Sequence, residues 1–288
     1  MPHFSFSDLL PTSTAAAKKP TPATVLFQDY YNEWFKTLKT TLLPLIHRSL
    51  TDPSPPALLS SHVHLLLHHF LSYYDALDLA ATVSADNLPH LLHPPWRNSL
   101  ERPFLFLGDL HPYLLTNLLR KFLREGGSES ESDTEREPQT DSEAAWQLGI
   151  TAWKDPSDEL MVKIEQIERG LRLIVPSFSE RMKKAQAGFM KKVGEQWIGT
   201  ATVAEAMKIE MDEMVSVFLD ANRARRSVIS EIVGTLNLYQ GALFLEGLAQ
   251  FLVGFKDPGL VRKFKRHRIP STVAGISGGA GGKSADGN

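Results

Sequence analysis

LSSHVHLLLHHFLSYYDAL, residues 59–77, decides the fold. Leu59, Val63, Leu66, Leu67, Phe70, Tyr74 and Leu77 recur at three- and four-residue steps, so one stripe of an α-helix is apolar along five turns. The turn signal DPSPP at 52–56 precedes it, and Ser54 or Ser60 is the expected cap. Upstream, Phe27, Tyr30, Tyr31, Trp34, Leu38, Leu42 and Leu45 repeat the pattern, and Pro44 is expected to kink or end that helix. Downstream, Met161, Ile164, Ile167 and Leu171 open a third helix. Met211, Met214, Val215, Phe218, Ile229, Ile232, Val233 and Leu236 mark a long one. Asn222 and Arg225 fall on that last stripe, so either the helix bends there or both find buried partners. No sustained alternation of β-branched residues occurs. The class is all-α, a single multi-helix, bundle-like domain.

The 288 residues are 42% hydrophobic, enough for a sizeable core. Charge is nearly balanced, with 31 bases, 33 acids and a net of −2, so attraction to nucleic acid or membrane must be local. With no cysteine, disulfides, thiolate ligands and a catalytic thiol are excluded, which fits a reducing compartment. The first residues have no basic segment leading into an apolar run, so no secretory signal is expected. The greasy stretch 243–255 contains Glu246 and is expected to be too short to span a bilayer. Residues 1–24 read as a disordered arm, 25–268 as the helical domain and 269–288 as a flexible tail. The domain is interrupted at 125–143, where eight acids stand against one base, Arg136. That local charge of −7 leaves +5 for the remainder. Without an apolar anchor the interruption is expected to be a mobile acidic loop, either plain insertion or a phosphorylation segment at Ser128, Ser130 and Ser132.

His62, His64, His68 and His69 raise the question of a metal. His64 and His68, four apart, share a flank; His62 and His69 lie on the other flank, about 10 Å apart in rise. At most one pair can meet, with no HExxH and no acid nearby in the helix as third ligand, so His64 and His68 stand as weak candidates and no cofactor is assigned. His90, His93 and His111 read as turn and interface residues. No GxSxG, GxGxxG or phosphate loop is present, and GGAGG near the end follows no strand. The chain is not expected to be an enzyme.

Between 256 and 268 stand six bases (Lys256, Arg262, Lys263, Lys265, Arg266 and Arg268) against Asp257. They follow the apolar run GALFLEGLAQFLVGF. Such an end can hold an anionic leaflet, complement a helix dipole in solvent, or serve nuclear import. Direct nucleic-acid binding fits poorly, because no aromatic platform is interleaved with these bases.

The segment 86–119, DNLPHLLHPPWRNSLERPFLFLGDLHPYLLTNLL, resembles the signature of the plant delay-of-germination (seed dormancy control) domain family. Asp86, Trp96, Arg97, Ser99, Glu101, Arg102, Phe104, Phe106 and Gly108 carry the likeness. That family usually continues with a second Gly and an Arg-Pro pair; here Asp109 and His111-Pro112 stand instead, so any role of that Arg is not carried over. FQDYYNEWF and LNLYQGALFLEGLAQF are similar to its opening and closing helices. Among members without a leucine zipper the likeness is greatest to the inaperturate pollen proteins. The resemblance implies a non-enzymatic factor of pollen aperture formation, a cytoplasmic scaffold peripheral to plasma-membrane domains where exine is not deposited. Its implied partners are other proteins at that membrane and an anionic lipid surface, with homo-oligomerisation left open. The alternative it implies is a nuclear regulator acting through bZIP transcription factors or phosphatases.

Overall fold

The structure is a computed structural model that describes residues 27–52, 55–127, 152–154, 156–196 and 203–265. Most of the acidic interruption, the arm and the tail therefore lie outside the described residues, although the backbone of 125–127 still belongs to a helix. Among the described residues the chain is all-α apart from two strands of two residues each.

Helix α1 (Phe27–Thr37) runs through a π-helical turn (Leu38–Leu42) into α2 (Leu43–Thr51). Pro44 thus neither ends the helix nor stands in a regular interior. It occupies the first turn of α2, directly after the widened turn. A proline lacks the N–H that a regular turn would use and crowds the carbonyl four residues back, and a π turn relieves such a misfit. The extra residue also rotates the apolar face. Trp34, Leu38 and Leu42 are buried as the spacing predicts, but the next buried position is Ile46, while the expected Leu45 is half-buried.

Helix α3 (Pro56–Val83) starts on proline, with Pro55 outside it. Ser60 lies a turn inside and is not the cap, and Ser54 lies outside the described residues. Leu59, Val63, Leu66, Phe70, Tyr74 and Leu77 of the expected stripe are buried, Leu67 is half-buried at its edge, and Tyr73, outside the expected set, is buried as well. A 3₁₀ turn (Ala85–Asn87) and α4 (Leu88–Leu92) lead to a second 3₁₀ turn (Arg102–Phe104) and a hairpin. In the hairpin β1 (Leu105–Phe106) pairs antiparallel with β2 (Asp109–Leu110), Leu105 opposite Leu110. Leu107 and Gly108 turn the corner with φ of 48° and 82°, the left-handed backbone that two-residue hairpins use.

Helix α5 (Tyr113–Gly127) precedes the interruption; α6 (Asp158–Gln196) and α7 (Val203–Thr235) then pair along their lengths. Near the hairpin Phe178, Met182, Val217, Ala221 and Ala224 form a small cluster of their own. Helix α8 (Leu238–Gly254) is apolar nearly all round because it runs through the middle, with Gly241 to Leu245 buried without a break. Its start is fixed by a capping box: Asn237 Oδ1 accepts from the Gln240 N–H, and the Gln240 side chain accepts from the Asn237 N–H. Gln240 also donates to the Ala152 carbonyl at 3.0 Å. A short α9 (Pro258–Lys265) ends the described chain.

The apolar stretch around α8 is longer than the sequence reading allowed. Residues Leu238–Arg262 are long and apolar enough to cross a membrane by length and composition, and half of the qualifying window is buried in the protein. Burial on several sides is what a central core helix requires. Glu246, within it, is bound by His47 at 2.6 Å and by Gln250 at 3.2 Å.

Candidate functional site

The signature segment divides into an inward half and an outward half. The inward half is a buried polar spine. Arg97 and Asp109 are each 2% exposed and meet at 2.6 Å; Arg97 also binds Glu101 at 3.0 Å. The Asp109 carboxylate accepts from the hydroxyls of Tyr73 at 2.6 Å and Tyr74 at 3.3 Å, both from α3, and from the Leu110 N–H at 2.7 Å. Burial alone would raise the Asp109 carboxyl. The Arg97 and Arg225 guanidiniums and the Tyr73 hydroxyl outweigh it and hold the group below the usual carboxylate range. The same burial pushes the Tyr73 hydroxyl well above its ordinary value, so it stays a donor to Asp109.

Arg225 extends the spine into α7. Its Nε donates to the Leu110 carbonyl at 2.7 Å, one Nη to the Phe106 carbonyl and the other to Asn222 Oδ1 at 2.7 Å. Asn222 in turn donates to Asp78 of α3 at 2.8 Å. Both residues are completely buried and partnered, which decides between the two expectations for them. At the other end Glu101 accepts from the Asn98 N–H at 2.7 Å and meets Lys256 at 3.2 Å. Lys256 also donates to the Trp96 carbonyl at 2.7 Å and lies 5.4 Å from the Tyr31 ring centroid. It therefore turns inward, whereas Arg262 is exposed. Trp96 itself is buried against Phe27 and Tyr31, with centroids 5.0 and 6.0 Å away.

The outward half begins at Arg102, which is exposed, and Phe104, which is partly exposed. Phe104 packs on Phe251 and Phe255 at 5.8 and 5.1 Å, so the signature touches the end of α8. Asn98 fixes the same junction by donating to the Phe255 carbonyl at 2.8 Å. Arg262 is exposed on α9; the side chains of Lys263 and Lys265, and all of Arg266 and Arg268, lie outside the described residues. Asp86 is exposed in its 3₁₀ turn, whose cap is Ser84: the Ser84 hydroxyl accepts from the Asp86 N–H. Gly108 lets the hairpin approach α4, since a Cβ there would stand 2.1 Å from the Leu91 carbonyl oxygen.

The four histidines divide as the helix geometry predicts. His64 and His68 are exposed, and His64 Nδ1 lies 2.7 Å from the Ser60 carbonyl. Among the described residues no group of three or more His, Asp or Glu side chains is placed to hold a metal. His62 binds Ser49 of α2 at 2.6 Å. His69 is clasped to Trp34: the rings stack at 5.0 Å and 3°, Trp34 Nε1 donates to the His69 carbonyl at 2.9 Å, and His69 Nε2 lies 3.1 Å from the Trp34 carbonyl. His111 lies between the rings of Phe106 and Tyr113, each 4.9 Å away.

Burial, helped by the neighbouring His68, holds the His69 ring down to about 4 from 6.5, against the opposing bond to Trp34. The folded protein thus keeps this ring neutral where an unfolded chain would protonate it. Its stabilisation is full above about pH 6.5 and is lost as the pH falls towards 4. A melting series over that interval should decline less steeply for His69→Gln than for the parent, and parallel curves would remove His69 as the cause.

The inward residues bind one another, and every cation and carboxylate of the spine has a partner within the protein. What this arrangement does chemically is to hold α3, α7, the hairpin and the end of α8 in register. The elements contributing Arg225 and Lys256 lie more than 100 residues from the signature, and nothing in local spacing joins them to it. A cleft between α5 and α6, lined by Asn117, Arg120, Leu123, Met161 and Glu168, lies apart from the signature. Arg120 and Glu168 form a bidentate pair there at 2.7 and 2.9 Å.

Residues 42–121, which contain the whole inward signature but neither Arg225 nor Lys256, match the model of the family described as seed dormancy control (DOG1). The chain is 48% identical over 281 residues to Protein INAPERTURATE POLLEN1 of Arabidopsis thaliana, covering 91% of this chain and 100% of that protein. It is 32% identical over 249 residues to the INAPERTURATE POLLEN 1 homolog of Oryza sativa subsp. japonica, covering 84% and 89%. Protein ZW2 of Arabidopsis thaliana is similar at 22% identity over 249 residues, covering 83% and 99%. Through its relation to the first two proteins over nearly their full lengths, the chain belongs to the inaperturate pollen group of the seed dormancy control family.

Proposed function

We propose that this chain is a non-enzymatic factor of pollen aperture formation. It works by contact, as a cytoplasmic scaffold peripheral to plasma-membrane domains where exine is not deposited. The observation that carries this reading is the relation to the Arabidopsis protein over that protein's whole length, which supports a role in pollen development and aperture formation. The buried spine is consistent with it, because the signature's charges serve to fix helices and leave recognition to the outward residues Arg102 and Phe104. The partners are other proteins at the membrane and its anionic inner face.

Imaging a tagged full-length chain in microspores at the tetrad stage tests the proposal. Discrete patches of signal at the plasma membrane are expected, at the sites that later lack exine. Diffuse signal throughout that stage would overturn it. The matching family model is described by seed dormancy control, so a second reading is a regulator of dormancy or development. Acting in the nucleus, it would show nuclear retention, with altered transcription in a knockout.

A further inference from the structure

We infer that the cleft between α5 and α6 is a binding site for a small organic acid, an apolar body carrying one carboxylate. It lies apart from the signature, and the inference is independent of the proposed function. The two helices run antiparallel. Tyr113 Oη donates to the Leu171 carbonyl at 3.4 Å, and Arg120 meets Glu168 further along. Beyond that pair a cleft of about 520 Å³ opens, with Leu123 and Met161 among its walls, a volume of the order that holds small molecules. Spacing explains which residues line it. On α5, positions 117, 120 and 124 fall within an arc of about 60°, so Asn117, Arg120 and Arg124 form one polar row. On α6, Met161 and Glu168 lie two turns apart on one face. Leu123 and Met161, with Pro156 ahead of α6, give the cleft an apolar side.

Three features select a carboxylate. First, Arg120 spends only one edge on Glu168. Its Nε and one Nη donate at 2.7 and 2.9 Å, and the other Nη has no partner among the described residues. Glu168 thus fixes the guanidinium plane, and a fixed guanidinium edge suits a second carboxylate. Second, Asn117, exposed one turn before Arg120, makes no side-chain hydrogen bond among the described residues. Its amide is a further donor on the same row. Third, the one carboxylate of the lining is already engaged. Both Glu168 oxygens accept from Arg120, and Arg172 stands 3.9 Å from one of them. Those bonds from Arg120 hold the Glu168 carboxyl below its ordinary value, so it stays ionised and bound to its own cations. Two guanidiniums about one carboxylate leave a positive excess and unused donors, which suit an anion and not a cation. The apolar side asks that the anion carry a hydrocarbon body, since an inorganic ion would leave Leu123 and Met161 without contact.

Calorimetric titration of the full chain with sodium octanoate at neutral pH tests this. Octanoate is expected to bind about tenfold more tightly than butyrate, whose body is shorter. It should exceed octan-1-ol, which keeps the body without the charge, by about the same factor. Inorganic phosphate should bind more weakly than octanoate. Asn117→Asp, at an exposed position, replaces a donor by a like charge and should weaken octanoate about tenfold. Arg120→Gln removes the free guanidinium edge and turns an unpaired Glu168 towards the ligand, so its loss should be at least as large. Should Arg120→Gln also lower the melting temperature, Asn117→Asp, which leaves the ion pair in place, carries the test alone. Octanoate bound as tightly by Asn117→Asp as by the parent, equal affinity for octanoate and octan-1-ol, phosphate binding as tight as octanoate, or no binding of octanoate would each overturn the inference. Neither result bears on where the tagged chain gathers in microspores, so this site and the proposed function fail separately.

Discussion

Asp109→Asn is expected to unfold on the order of 10 °C below the parent chain, although only one oxygen is exchanged for an amide. Asp109 is the one carboxylate that meets Arg97, Tyr73, Tyr74 and the Leu110 N–H together, at full burial. An amide brings a second set of donors to a place already filled with donors. It also leaves the Arg97 charge to Glu101, which Lys256 already shares. Removing one partner of a buried pair costs about 3–5 kcal/mol because the remaining charge stays desolvated. For a body of this size each kcal/mol lowers the melting temperature by about 2–4 °C. Melting followed by circular dichroism checks the figure. The paired replacement Arg97→Met, Asp109→Leu should cost less than the sum of its single changes, since it removes both charges at once. The acid limb supplies a second reading. Asp109 sits below its unfolded value, so its contribution is complete above about pH 4 and is lost as the pH falls through the lower folded value. Asp109→Asn should therefore flatten that limb. Melting within a degree or so of the parent would show that the spine does not hold the fold.

How far this site could be read in advance depends on how local its partners are. The stripe from Leu59 to Leu77 is a property of one helix, and period alone predicts the burial of all its residues except Leu67, which is half-buried, and misses Tyr73, which is buried. The division of the four histidines follows from the same geometry. The stripe from Phe27 to Leu45 fails at its end because the π turn adds a residue, and the backbone response to Pro44 is not encoded in spacing. Within the signature, Arg97 and Glu101 were marked by their pattern, whereas Asp109 stood only as a departure from it. A signal for Asp109 was nonetheless present: a lone acid inside PFLFLGDL must either reach solvent or find a cation. Asn222 and Arg225 carried the same kind of signal on their own stripe. Which cation meets which acid is a matter of tertiary placement, with Arg225 held 115 residues from Leu110 and Lys256 held 160 from Trp96. For that reason the basic end was legible as a run of charge, but the inward turn of its first member was not.

Gly108→Ala should cost about 2–5 kcal/mol, from two causes that act together. The backbone there has φ of 82°, which an L-residue with a Cβ adopts only at a cost of about 1–2 kcal/mol. The added carbon would also stand 2.1 Å from the Leu91 carbonyl oxygen and 3.2 Å from the Phe218 ring. The first of these is backbone of α4 and cannot rotate aside, so either α4 or the hairpin must move. Moving the hairpin takes Asp109 from Arg97 and the Phe106 and Leu110 carbonyls from Arg225, so the strain spreads into the spine. The same exchange at Gly234, in α7 with nothing within 4 Å of an added Cβ, should instead stabilise by up to about 1 kcal/mol, as alanine for glycine in an open helix does. Thermal melting of both variants separates the local effect from the residue type. A Gly108→Ala chain that melts with the parent would mean that α4 yields freely at Leu91. In that case the hairpin would not be the rigid post on which Asp109 is carried to Arg97.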